Sequence, residues 1–249
     1  MSAASVTVVI VSRGLDALLR EALQRLRSAL SYAGAAPDSQ ILVVDNASPV
    51  PYRIEDFPHP DTELIRLDRH HGFAAANNIA SREIPNEYYL LLNNDVLLVE
   101  DALAHLFSIL QTDPRVGICG TRLLFPDGSV QHAGVVFGGG DTGPYHQHRR
   151  RHSGLVPRLD QDFQAVTGAC MLVRRIVWDD LNGLCEDFGF GLEDIDFCLR
   201  ARQLGWRVRC SNASESIHFE SMTEGRTSLD IPARRLFMAR WKGRYSIDG

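Results

Sequence analysis

Short apolar runs alternate with helical stripes through the first half of the chain, and each run ends abruptly in polar residues. Val6–Val11 is a β-branched run of the kind that forms a buried parallel strand. The stretch Leu15–Leu30 carries Leu15, Leu18, Leu19, Ala22, Leu23, Leu26 and Leu30 at the i, i+3, i+4, i+7 spacing of an amphipathic helix. Ile41–Val44 then reads as a second strand and Leu64–Leu67 as a third, with a proline-rich loop between them. Phe73–Arg82 reads as a helix and Tyr88–Leu92 as a fourth strand. Leu103, Leu106, Phe107 and Leu110 mark a further helix, stopped by Pro114. Strand–helix alternation of this kind predicts an α/β fold, a Rossmann-like and mostly parallel central sheet with helices on both faces. Ligands bind beyond the carboxyl ends of such strands. Ser12-Arg13, Asp45-Asn46 and Asn93-Asn94-Asp95 fall at those ends.

The second half is less regular. Val116–Leu124, Val130–Phe137 and Val166–Val173 read as strands, and Glu193–Leu204 as a helix closed by Gly205. From Gly138 to Asp160 there is no apolar periodicity, and the segment holding His146, His148, Arg149, Arg150, Arg151 and His152 reads as a mobile surface loop. The absence of repeats and linkers predicts one domain over 1–249. Residues 5–115, approximately, would form its nucleotide-binding half and 116–222 its acceptor-facing half, with a basic segment at 223–249. Arg234–Lys242 is basic and amphipathic, suited either to a membrane surface or to packing on the domain.

Composition narrows the classes. With 45% hydrophobic and 23% charged residues the chain can bury a substantial core, and a net charge of −5 gives no reason to expect nucleic acid as a partner. The cysteines, Cys119, Cys170, Cys185, Cys198 and Cys210, are odd in number and contain no CxxC pair, which speaks against a disulfide framework or a zinc site. The N-terminus lacks a basic n-region, and the apolar runs fall well short of the roughly 18 residues of a membrane span. The expectation is a cytoplasmic protein, with the His146–His152 segment suited to an anionic surface at the inner face of a membrane, to an acceptor's phosphate or simply to solvent.

Several groups of residues could carry chemistry, and each has a plainer alternative. Asp95, at the end of an apolar strand, suits a hard divalent cation that also bridges a diphosphate, although Asx-rich turns commonly end strands. Asp45 can accept hydrogen bonds from a nucleoside, or simply make a turn. His70–Asn78 sets a glycine and small residues at a helix start, which favours either a phosphate or close packing on the sheet. Glu193, Asp194 and Asp196 crowd the first turn of a helix, where acids favour the helix dipole. That is more negative charge than capping needs, so one acid could serve as a general base. His218 is a candidate partner for the metal that Asp95 would hold, against the commoner structural histidine.

Taken together, these segments resemble family 2 glycosyltransferases of the GT-A fold, close to the bacterial rhamnosyltransferase-like members. The resemblance runs in order through Val8–Arg13, Val43–Ser48, Gly72–Asn78 and Leu91–Asp95. It continues through Gly128–Gly134, Val166–Arg175, Glu193–Asp196 and Ile217-His218 with Ser221. It implies that Asp45 contacts the donor nucleoside, with Ser12 and Arg13 lining its base. It also implies that Asn46, Gly72, Phe73, Asn77, Asn94 and Gly168 contribute to the donor site. Asp95 would bind Mg2+ or Mn2+ with His218 close by, Asn93 and Glu193 in support, and Asp194 would be the base. The triplet opens with Asn93 rather than an acid, and His70-His71 precedes Gly72-Phe73 where the family commonly has Asn-x-Gly-Phe.

The implied reaction moves a sugar from a nucleoside-diphosphate donor, UDP- or dTDP-linked, to an acceptor hydroxyl. Its setting would be bacterial polysaccharide or glycoconjugate biosynthesis. The acceptor could be a carbohydrate, a lipid-linked molecule or a small molecule, and the oligomeric state stays open. Two alternatives stand beside this reading. A sugar-1-phosphate nucleotidyltransferase would need a Gly-rich basic loop after the first strand, where Ser12-Arg13-Gly14-Leu15 runs straight on. A non-catalytic nucleotide-sugar-binding relative would be expected to lose acids that this chain keeps.

Overall fold

A computed structural model describes residues 3–14, 17–57, 59, 61–82, 86–189, 191–220 and 226–249, with side chains from residue 231 in the last helix. Leu15 and Ser221 lie outside the described residues. In chain order the first half gives β1 (Val6–Ser12), α1 (Ala17–Tyr32), β2 (Gln40–Asp45), β3 (Thr62–Arg66), α2 (Phe73–Ala80), β4 (Tyr88–Leu92), β5 (Val96–Leu97) and α3 (Ala102–Thr112). The second half gives β6 (Val116–Leu124), β7 (Val130–His132), β8 (Val135–Gly138), β9 (Gly143–His146), β10 (Gln161–Phe163), β11 (Cys170–Arg174), α4 (Arg175–Asp180), α5 (Glu193–Gln203), β12 (Arg207–His218) and α6 (Arg226–Trp241).

The main sheet runs β10-β12-β6-β11-β4-β1-β2-β3. Strands β4, β1, β2 and β3 are parallel neighbours, as are β12 and β6, while β11 lies antiparallel between β6 and β4. The expected mostly parallel sheet with helices on both faces is therefore present. It is a single sheet that both halves of the chain build.

Alternation along the strands explains the two layers. Val8, Ile10, Ile41, Val43, Leu90 and Leu92 point to the face covered by α1 and α3, where they meet Leu19, Leu23, Leu26, Leu103, Leu106 and Leu110. Val9, Leu42, Val44, Tyr89 and Leu91 point the other way, into a core closed by α2, α4, α5 and α6. In α6, Ala233, Phe237 and Trp241 are buried in that core. The C-terminal segment therefore packs on the domain through its apolar side. Among the described residues no helix is long and apolar enough to cross a membrane.

Three expectations from the sequence are corrected. The apolar run Val130–Phe137 is two strands, broken at Gly134, whose φ of +108° disfavours any residue with a Cβ. A Cβ there would also lie 2.4 Å from the Phe163 ring. The run Val166–Val173 becomes a strand only from Cys170, because residues 167–169 turn to present Gly168 to α5. The polar stretch Gly138–Asp160 is folded rather than a loose loop. The hairpin β8–β9 occupies its first part, and the Arg150 and Arg151 backbones pair with Val130. Fully buried Arg122 donates to the carbonyls of Ser153 at 2.9 Å and Val156 at 3.2 Å. Hydrogen bonds held from outside the segment leave no trace in its own periodicity.

Candidate active site

Parallel register lines up the first group of candidate residues. Ser12 pairs with Asp45 across β1 and β2, and Asp45 pairs with Arg66 across β2 and β3, so three polar side chains form one row at the strand ends. Asp45 is fully buried, and its carboxylate accepts from the backbone N–H of Ser48 at 2.8 Å and of Tyr52 at 3.1 Å, and from the Arg66 guanidinium. Burial alone would raise its pKa. Hydrogen bonds from Ser48, Tyr52 and Arg66 outweigh burial and hold the carboxyl below its ordinary value. Ser12 Oγ meets the Tyr52 hydroxyl at 2.9 Å and accepts from Asn94 Nδ2 at 3.0 Å. Arg13 is exposed above this row, its Nε 3.4 Å from the Ala47 carbonyl.

A second group joins the two ends of the chain. The short strand β5 pairs with the end of β12, setting His218 opposite Val96. His218 Nε2 lies 3.1 Å from Asp95 Oδ1 and 3.4 Å from Asn93 Nδ2, with Asp95 only 5% and His218 8% exposed. Next to them, the fully buried His132 meets His146 Nδ1 to Nδ1 at 2.8 Å. Burial first, then the neighbouring His146 and His218, press the His132 pKa well below its usual value, so its ring stays neutral.

The third group surrounds the start of α5. Asp194 accepts from the backbone N–H of Gly168 at 2.7 Å and of Ile195 at 2.8 Å. Burial raises its pKa in spite of these bonds, which is the direction a general base requires. A Cβ on Gly168 would come within 3.1 Å of Asp194 Cβ and 3.3 Å of the Phe73 ring, so Gly168, Phe73 and Asp194 share one wall. Glu193 is buried beside them. Gly72 abuts the loop before α5, since a Cβ on it would lie 2.5 Å from the Gly189 carbonyl oxygen.

Two residues expected at the donor site also hold bonds within the fold. Asn77 is buried and donates to the Phe73 carbonyl at 2.8 Å. Asn46 forms a reciprocal pair with the His71 backbone, donating to its carbonyl at 2.9 Å and accepting from its N–H at 2.8 Å. The Asn46 side chain thereby shapes the loop that leads into α2, while the Asn77 bond lies within that helix.

The turn Asn93-Asn94-Asp95 joins all three groups. Asn93 N–H donates to the Ala169 carbonyl at 2.9 Å, next to Gly168, while Asn94 reaches Ser12 and Asp95 reaches His218. Four residues that the sequence did not single out complete these groups: Tyr52 and Arg66 in the first, Gln131 beside His218 Nδ1 in the second, and Thr167, hydrogen-bonded to Asp194, in the third. Arg66 closes the third strand, and a register argument across β1, β2 and β3 would have found it. Gln131 lay inside a recognised segment without a role.

Asp95 and His218 offer an oxygen and a nitrogen donor side by side at a nearly buried point. Such a pair fits a divalent cation whose other positions come from substrate oxygens and water. Among the described residues no group of three or more His, Cys, Asp or Glu forms a cage that could hold a metal unaided. A cation here would therefore draw its other positions from oxygens outside this pair.

On this GT-A type fold the chain carries a row of polar strand ends, an acid–histidine pair and a half-buried acid at a helix start. The chain belongs to the family described as glycosyl transferase family 2, whose model matches residues 7–181. It is 33% identical over 227 residues to the O-antigen biosynthesis protein RfbC of Myxococcus xanthus, covering 87% of this chain and 17% of that protein. It is 23% identical over 227 residues to the N-acetylglucosaminyl-diphospho-decaprenol L-rhamnosyltransferase of Mycobacterium tuberculosis, covering 82% of this chain and 74% of that one. The mannosyltransferase PcManGT of Pyrobaculum calidifontis, solved in complex with GDP-Man and Mn2+, superposes with a TM-score of 0.69 at 18% identity, over 99% of this chain and 66% of that chain. The chain spans about a quarter or less of the length of the curated relatives first matched, 26% and 17%. Family membership sets aside the nucleotidyltransferase alternative.

Proposed function

We propose that this chain moves a sugar from a nucleoside-diphosphate sugar to an acceptor hydroxyl by a single displacement that inverts the anomeric carbon, acting as one domain over 1–249. The observation that carries this reading is the turn Asn93-Asn94-Asp95, which bonds at once to Ser12, to Ala169 beside the Gly168 that donates to Asp194, and to His218. A nucleoside would lie against Ser12, Arg13 and Asp45, and the sugar between Gly168, Phe73 and Asp194. Asp194 takes the proton from the acceptor oxygen as that oxygen bonds to the anomeric carbon and the diphosphate oxygen leaves. Asp95 and His218 would hold Mg2+ or Mn2+, which offsets charge on the departing diphosphate. Single displacement on one face of the sugar ring gives inversion.

The mycobacterial relative's name supports a lipid-linked acceptor and a deoxyhexose donor. UDP- and dTDP-sugars are therefore the first donors to try. Measuring nucleoside diphosphate release across UDP-, dTDP- and GDP-sugars with Mn2+ or Mg2+, with NMR of the product's anomeric configuration, tests the reading. Release with an inverted product is expected. Binding without release across the panel would favour a non-catalytic relative, and a retained configuration would remove the single displacement.

A further inference from the structure

His218 is useful to a cation only if its Nε2 keeps a lone pair, and the structure contains a device that settles which nitrogen carries the proton. Gln131, in the middle of β7, is 4% exposed. Its Nε2 donates to the main-chain carbonyl of His218 at 3.3 Å and faces Glu220 Oε2 at 3.5 Å. Its Oε1 sits 2.5 Å from His218 Nδ1. A carbonyl and a carboxylate can only accept, so the amide nitrogen has to face them. That leaves the amide oxygen, also an acceptor only, against the ring, and Nδ1 must carry the hydrogen. A neutral imidazole has one N–H, so Nε2 is the nitrogen that faces Asp95 Oδ1 at 3.1 Å and the Asn93 amide at 3.4 Å; Asp95 Oδ1 is an acceptor too, so a proton or a cation has to lie between the two. Arg149 holds the far end of the chain through Glu220 at 3.0 Å.

We infer that Gln131 is the positioning residue of the metal site: it holds His218 as the Nδ1–H tautomer, with Nε2 aimed at the point it shares with Asp95. The inference rests on the metal reading proposed above. Outer partners of this kind fix the tautomer and ring orientation of a metal-ligating histidine.

Histidine 15N–1H correlation spectra of the full chain at about pH 9, above the ordinary imidazole range, read the tautomer without metal. The His218 ring is assigned by its loss in His218→Gln. In the wild type Nδ1–H is expected. Gln131→Leu, similar in size but unable to accept, should shift the ring to Nε2–H, and Gln131→Glu, which still accepts, should keep Nδ1–H. Adding UDP and Mn2+ should broaden the wild-type His218 signals, and Mn2+ affinity measured by electron spin resonance should fall about 10–100-fold in Gln131→Leu. A wild-type Nε2–H tautomer overturns the inference without recourse to any variant, as does unchanged Mn2+ affinity in a folded Gln131→Leu. A wild-type Nδ1–H ring that Mn2+ leaves sharp overturns the metal reading instead.

Discussion

The indole Nε1 of Trp241 donates to Asp196 Oδ1 at 2.9 Å, fastening the last turn of α6 to the helix that carries Asp194. Asp196 is fully buried and also accepts from Arg200 Nε at 2.7 Å and Arg240 at 2.9 Å. The third acid of the motif is thus structural, and its charge is matched inside the protein.

Replacing that carboxylate should be among the most damaging changes outside the site. Asp196→Ala leaves two arginines without their partner, a loss of about 3 kcal/mol at the low end for broken buried pairs, because both arginines are partly exposed. Trp241→Phe removes one hydrogen bond to a charged group and should lose about 1–2 kcal/mol. Urea denaturation at neutral pH reads both, and equal effects would show that the arginine pairs contribute nothing.

Asp194→Asn should lower turnover by about 10²–10⁴ while donor binding persists. The base must be ionised, and burial raises its pKa. Activity should therefore fall with decreasing pH on a limb above the usual carboxyl range, not within it. A flat kcat/KM profile from neutral pH down to pH 4 would reassign the base.

Asp45 gives the opposite sign. Its folded pKa is lowered, so its stabilisation is present above the unfolded value of about 3.9 and is lost as pH falls through the folded one. Asp45→Asn should destabilise by about 1–2 kcal/mol at pH 7, discounted because Arg66 is largely exposed. The gap between variant and wild type should narrow at pH 3. A gap that stays constant with pH would mean that the loss is steric.

Gly72→Ala sets a Cβ 2.5 Å from the Gly189 carbonyl oxygen, a backbone atom that cannot rotate away. Overpacking of this sort costs about 1–3 kcal/mol and displaces the loop that leads into α5. Thermal unfolding should register it, with a matching drop in turnover. A fully stable, fully active variant would show that the loop yields freely.

Chelation provides a direct check on the Asp95–His218 pair. EDTA should abolish turnover and Mn2+ or Mg2+ should restore it, with Asp95→Asn requiring more metal for half-maximal rate. Turnover indifferent to chelator would leave the pair as an ion pair within the fold.

The α/β order and the polar strand ends were legible because both are local. Val8 and Val9 alternate faces in any sequence window, and Asp45, Asp95 and Ser12 each close an apolar run. Asp194 and His218 were legible as members of a motif. What escaped depended on distant partners. Gly134 breaks an apolar run because Phe163 presses on it, and Arg66 matters only once β2 and β3 have their register. Gln131 acquires its role from a residue 87 positions away. The loop after β8 looked loose because Arg122, outside it, supplies its bonds.

The turn Asn93-Asn94-Asp95 reaches back 82 residues to Ser12, and Asn93 reaches forward 125 to His218. During synthesis the row of Ser12, Asp45 and Arg66 can take shape while most of the second half is still untranslated. The acid–histidine pair cannot close until β12 has emerged and added its end to β5. A nascent or truncated chain can thus assemble the early parallel strands long before Asp95 has its histidine beside it.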